Sequence, residues 1–154
     1  MDWLRWAPLG AASLHIIEEF VLPGGFAAWY RRYRLDASRI TTRFLVIINA
    51  ALLVMCCDVA LLGRTPLGIA YWLAISSLLG SNGCWHAWAS YRQRGYSPGV
   101  ITGMTIHVPL AVYGYVEFLR SGAASIRTAL IAGMIGSTYP IWSAAYHRKR
   151  TKKG

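Results

Sequence analysis

Five apolar blocks, each long enough to cross a bilayer, leave few folds open to this chain. They run from Trp6 to Tyr30, Phe44 to Leu62, Leu67 to Tyr91, Gly99 to Leu119 and Ala124 to Tyr146. Each holds roughly 19–25 residues, which at 1.5 Å of rise per residue matches a hydrocarbon core of ~30 Å. The expected fold is an all-α membrane protein, a bundle of five transmembrane helices. Short connections predict antiparallel neighbours in contact. With 154 residues, 55% of them hydrophobic, the chain reads as one helical domain over 1–147 and a basic tail over 148–154.

Charge sets the direction of the spans. Arg31, Arg32, Arg34, Arg39 and Arg43 follow the first block, Arg92 and Arg94 follow the third, and Arg148, Lys149, Arg150, Lys152 and Lys153 lie in the tail. Only Arg5, Arg64, Arg120 and Arg127 fall on the other side. The positive-inside rule then puts the N-terminus outside and the C-terminus in the cytoplasm, in a membrane of the bacterial cytoplasmic type. The net charge of +10 is therefore a matter of topology and contact with anionic lipid, and nucleic acid is not an expected partner. Trp3, Trp6, Trp29, Tyr30, Tyr33 and Tyr146 stand at block ends, where an interfacial aromatic belt is expected. No cleavable signal peptide is expected. Cys56, Cys57 and Cys84 all lie within apolar blocks and read as small core hydrophobes, not a disulfide framework.

Acids are where the pattern breaks. Glu18, Glu19, Asp58 and Glu117 lie inside the blocks. Asp58 and Glu117 sit near outer ends, within reach of interfacial water or of Arg64 and Arg120. The cluster His15-Ile16-Ile17-Glu18-Glu19 lies mid-block, where a charged side chain costs ~2.5 kcal/mol or more. A bound metal, mutual pairing or a water-filled cavity would offset that cost. His15 shares a helical face with Glu18 and Glu19, at i, i+3 and i, i+4. Asn82 and His86 share a face one turn apart. Counting helix rise from each end puts Asn49, Glu19, Asn82, His86 and His107 in one inner layer drawn from four helices.

This spacing resembles bundle metal sites built from facing helices. The expected ligands are His15, Glu18, Glu19, His86 and His107, with Glu18, Glu19, His86 and Asn82 as catalytic candidates. Imidazole with carboxylate suits zinc, iron or manganese better than magnesium, as one ion or two. Pro23 either kinks the helix beside the acids or marks its end in a Pro-Gly-Gly turn. The segment Tyr96-Ser97-Pro98-Gly99 reads as a turn with Ser97 as N-cap and Pro98 at the first helical position. Gly99, Gly103, Ala129, Gly133 and Gly136 fit close helix packing, Thr102 and Thr105 fit back-bonding to their helix, and Asn49 fits helix–helix glue.

With those residues in view, the chain resembles the family of small integral membrane proteins named for the motif HXXEE. His15-Ile16-Ile17-Glu18-Glu19 matches the naming motif, and Asn82-Gly83-Cys84-Trp85-His86 resembles an Asn-and-His motif. Tyr96-Ser97-Pro98-Gly99-Val100-Ile101-Thr102 matches a Tyr-x-Pro-Gly-x-x-Thr motif. The resemblance implies a multi-span membrane protein with suspected enzymatic activity and no settled reaction.

The leading functional expectation is a membrane-embedded metal-dependent enzyme, hydrolytic or oxidative, acting on a hydrophobic or lipid-like substrate. In a hydrolase one carboxylate would serve as general base on a metal-activated water. The Glu-Glu pair also resembles that of intramembrane CAAX-type proteases, but their Glu-Glu-x-x-x-Arg pattern is absent, since position 22 is Leu22. A second reading is metal-independent: an acid-initiated isoprenoid cyclase or isomerase. There Glu18 and Glu19 would donate the proton, and Trp72, Trp85, Trp88, Tyr113, Tyr115, Tyr139 and Trp142 would stabilise cations. A third is a proton- or cation-coupled small transporter, which would need a homodimer to enclose a path.

Overall fold

The computed structural model describes residues 2–21, 24–33 and 41–138. Pro23, Arg34, Asp36, Arg39, Tyr139, Trp142, Tyr146 and the basic tail lie outside the described residues. Within them the chain is helical, without strands. In order come α1 (Trp3–Val21), α2 (Phe26–Tyr33), α3 (Thr42–Leu62), α4 (Pro66–Gln93), α5 (Val100–Thr102), a π-helical turn (Gly103–His107), α6 (Val108–Arg120) and α7 (Ile126–Ser137).

The first apolar block is not one rod. α1 stops at Val21, Gly24 and Gly25 take φ of +80° and +79°, and α2 starts afresh at Phe26. Glycine adopts that backbone without steric cost, so the break is local and built in. It lets α2 bury Phe26, Trp29 and Tyr30 against Leu45 of α3 and Ala89 of α4. Trp29 and Tyr30 are thus core residues and not part of a belt, whereas Trp3 and Trp6 are exposed.

The other ends follow local rules. Thr41, Thr65 and Ser125 cap α3, α4 and α7 through their side-chain oxygens, and Pro66 opens α4. The π-helical turn runs on into α6 just before Pro109, which has no N–H to donate to the preceding turn. Pro8 likewise leaves the Leu4 carbonyl of α1 without its helical donor. The indole N–H of Trp72 in α4 donates to that carbonyl at 2.8 Å, so a gap in one helix becomes a staple between two.

α4 is the hub, with α1, α3, α6, the π turn and α7 packed on it. Its core face carries Ile69, Trp72, Leu73 and Leu79 against Cys56 and Val59 of α3, Phe118 of α6 and Ala129 and Ala132 of α7. Helices come closest at glycine: a Cβ on Gly83 would lie 2.6 Å from the Gly103 carbonyl oxygen. Cys56 belongs to this core, but Cys57 and Cys84 are exposed, contrary to a shared core role. Asp58 is exposed and Glu117 half-buried.

Several polar side chains are buried beside the apolar core, and many apolar side chains are exposed. His15, Glu18, Glu19, Asn49, Ser76, His86 and His107 are buried, while Ile17, Val54, Leu61, Leu67, Val112 and Leu130 are exposed. Among the described residues one helix, Thr42–Leu62, is long and apolar enough by itself to cross a membrane. α1 and α4 are diluted by the polar groups they turn inward, and α7 is a shorter apolar helix within its described 12 residues.

Candidate metal centre

Two helices bring three ligand atoms to one point. α1 presents His15 and Glu19 one turn apart, and α4 presents His86 across from them. His86 Nε2 lies 3.2 Å and His15 Nε2 3.5 Å from the same oxygen, Glu19 Oε1. All three ligand atoms fall within 4.8 Å of one another, and all three residues are buried, so the group could hold a metal ion. Ligands about 2.0–2.1 Å from a tetrahedral ion sit about 3.3 Å apart, and the two histidine-to-carboxylate spacings bracket that edge.

Each member of the group is held from behind. Asn49 Nδ2 donates to the second Glu19 oxygen, Oε2, at 3.4 Å, leaving Oε1 to face the imidazoles. His86 Nδ1 meets Ser97 Oγ at 3.1 Å. His15 Nδ1 meets Thr102 Oγ1 at 2.8 Å, and the Thr102 hydroxyl donates its single proton to Glu18 Oε2 at 2.5 Å. Thr102 Oγ1 must therefore accept from His15 Nδ1–H, which turns the lone pair of His15 Nε2 toward Glu19. Second-sphere bonds of this kind fix ligand tautomer and aim. Asn82 Nδ2 donates to that same His15 Nε2 at 3.1 Å, so Asn82 marks the position an ion would take.

Glu18 does a different job from its neighbour. It accepts from the Tyr96 hydroxyl (2.5 Å), the Ile101 N–H (3.0 Å), the Thr102 N–H (2.7 Å) and the Thr102 hydroxyl. Glu18 thus caps the start of α5 from another helix, a place where a carboxylate is favoured. The expected Ser97 cap is not made: Gly99 occupies the N-cap position at φ +96°, and the Ser97 side chain goes to His86. Burial, then the bond to Glu18, pushes the Tyr96 phenol well above the usual tyrosine range. Thr102 is likewise no back-bonding residue, whereas Thr105 does bond to the Ile101 carbonyl.

Gly99 roofs the centre. A Cβ there would lie 2.7 Å from His15 Cε1 and 3.0 Å from His86 Nε2, so the loop backbone rests on both rings. His107 stands beside the group and not in it. Its ring centroid is 4.5 Å from that of His15, but its Nδ1 faces the Leu79 carbonyl at 3.2 Å and its Nε2 the Ala11 carbonyl at 3.3 Å. Of the five expected ligands, the structure therefore gathers His15, Glu19 and His86, while Glu18 and His107 brace the elements around them. Asp58 and Glu117 are on α3 and α6 at the opposite end of the bundle from the α4–α5 loop.

An apolar cavity of about 800 Å³ ends on this centre. His15, Glu19, Asn49, Asn82 and His86 form its polar end, and Phe26, Tyr30, Phe44 and Trp85 ring it. Among the aromatic residues expected around a cation, Trp85 is there, whereas Trp72 and Tyr115 bond to the Leu4 carbonyl and to Ser77. Trp88 and Tyr113 are exposed, and Tyr139 and Trp142 lie outside the described residues. Sequence reasoning passed over Tyr96, Ser97, Gly99 and Thr102 as partners of the centre, although their spacing in the Tyr-x-Pro-Gly-x-x-Thr motif carried the signal.

Fold and centre define an all-helical protein with a buried His–Glu–His group at the end of an apolar cavity. Residues 6–114 match the family described as "Protein of unknown function with HXXEE motif", and the chain belongs to it. No curated protein and no solved structure matches the chain.

Proposed function

We propose that this protein is a membrane-embedded, metal-dependent enzyme that acts on a lipid-like substrate. In this reading its helices form a five-span bundle, with the N-terminus outside and the centre toward the cytoplasmic face. The exposed apolar side chains on every long helix support a lipid environment. Arg31, Arg32, Arg43, Arg92 and Arg94 flank the end of the bundle that holds the centre, which supports the direction.

The observation that carries the metal is the convergence of His15 Nε2 and His86 Nε2 on one oxygen of Glu19, at tetrahedral edge lengths. Charge points the same way. Among the described residues neither Glu18 nor Glu19 is paired with a lysine or arginine, so one divalent cation would neutralise the two carboxylates together. His15, Glu19 and His86 would hold the ion, with zinc, iron and manganese the fitting choices. A metal there supplies Lewis acidity toward an oxygen of the substrate head. Asn82 is placed to orient that head, Asn49 keeps Glu19 monodentate, and the apolar walls exclude water from the chemistry. The acid-cyclase reading loses Glu18 as its proton donor, because that carboxylate accepts from four donors, and it would have to rest on Glu19 alone.

Elemental mass spectrometry of the detergent-purified protein tests this. About one zinc, iron or manganese per chain is expected in the wild type. Glu19→Gln and His86→Ala should lose it, and His107→Gln should keep it. A folded, active protein free of metal would overturn the reading and leave a proton-coupled transporter or a metal-free catalyst.

A further inference from the structure

The cavity has a shape that selects one kind of ligand. Its wall on α4 is one helical face, at Leu67, Tyr71, Ala74, Leu78, Asn82 and His86. From Leu67 to His86 that face runs about 28 Å, close to the ~30 Å of a whole hydrocarbon core and about twice one leaflet. The opposite wall changes along the way. α3 supplies Leu45 to Met55, and α7 supplies Thr128 to Gly136. α3 starts beside the centre and lines the trough outward from it, and the described part of α7 lines it inward from the far end. Small residues keep the trough open, with Ala70, Ala74 and Ala132 on its walls. Its rim is accessible from the side, because Ala51, Leu67, Ile131 and Ile135 both line the cavity and are exposed.

We infer that the ligand of the centre is an amphiphile with a compact polar head and a single extended hydrocarbon chain that lies in this trough for nearly the full thickness of the bilayer. The inference rests on the membrane-embedded part of the proposed function and not on its metal. A two-chain phospholipid does not fit, because its chains end near the midplane and need two channels, whereas one trough runs on past the midplane. A polyisoprenoid or very long alkyl chain fits. The polar requirement sits at one end only, where Asn49, Asn82, Glu19 and the two histidines meet the head. The chain would enter sideways between α3 and α7.

The test uses single-chain primary alcohols carrying a photoactivated diazirine at the tail end, in two lengths. One spans the whole trough and the other half of it. They are added to the full-length protein in lipid nanodiscs, and crosslinked residues are mapped by mass spectrometry. The long probe should mark Leu67, Tyr71 and Thr128, and the short probe should mark Leu52, Met55 and Leu78. Ala74→Phe, which blocks the trough about 18 Å from His86, should cut the far-end crosslinks of the long probe about tenfold or more and leave those of the short probe. Ile131→Trp, at the rim, gives a second obstruction if the first variant fails to fold. Crosslinks that ignore probe length, or that fall on the outer residues Val54, Leu61 and Leu130, would overturn the inference. The two proposals fail separately. An ordered map on metal-free wild-type protein would sink the metal and keep the trough, and a scattered map on metal-loaded protein would do the reverse.

Discussion

Thr102 shows how one small side chain can set the state of a centre it does not join. Its hydroxyl proton goes to Glu18, and its oxygen takes the proton of His15 Nδ1. Thr102→Val should therefore weaken metal binding about 10–100-fold, and Thr102→Ser should restore most of it, read by competition with a chelator. The adjacent acids divide their labour because a helix turns 100° between them: Glu19 looks across to His86, and Glu18 looks along to α5. Glu18→Gln places an amide N–H₂ among four donors, which should cost about 1–3 kcal/mol and lower the melting temperature. In the same variant the Tyr96 phenol, held above its ordinary value, should titrate closer to pH ~10, visible in the ultraviolet difference spectrum. Sequence spacing made His15, Glu19 and His86 legible as candidates. It could not separate Glu18 from Glu19, since both lie on the broad face that His15 shares.

Helix boundaries were legible wherever a local rule writes them. The second apolar block, Phe44 to Leu62, lies within α3, and the third, Leu67 to Tyr91, lies within α4. In the first block the sequence leaves a kink and a stop near Pro23 as alternatives, because hydropathy runs on through Gly24 and Gly25; the backbone decides for a stop of α1 at Val21 and a new start at Phe26. The π-helical turn has Pro109 after it as a local signal, but a proline alone does not specify a π turn. It arises where the Gly103 backbone meets the Gly83 backbone and His107 must still reach the carbonyls of α1 and α4. Gly83→Ala and Gly103→Ala should each cost about 1–3 kcal/mol by overpacking, measured as a loss of thermal stability. The double variant should fall short of their sum, because both remove the same contact. Gly99→Ala adds strain at φ +96° and a methyl group against both imidazoles, so it should lower metal occupancy as well as stability.

The distribution of polarity makes its own prediction for the whole molecule. Cys84 is exposed on the protein surface nine residues inside the end of α4. On the proposed membrane-embedded reading, a charged, water-soluble maleimide should not label it in native membranes, while a small membrane-permeant maleimide should reach it. Rapid labelling by the charged reagent before any detergent is added would argue against a bilayer around this helix. Cys56, buried in the core, should resist both reagents until the protein is denatured.

The sequence by itself determined that the chain is helical, where its long helices run and which turns carry titratable groups. Those are consequences of hydropathy, caps and period, each written within a few residues. Only the tertiary structure decided which polar groups meet. Pairing Glu18 with Thr102 and Tyr96, or His86 with Glu19, spans 67 to 84 positions of chain and depends on how three helices and a loop cross. The α2 fold-back, the roof formed by Gly99 and the trough between α3 and α7 have the same origin, because packing geometry is a property of facing surfaces and not of any one segment.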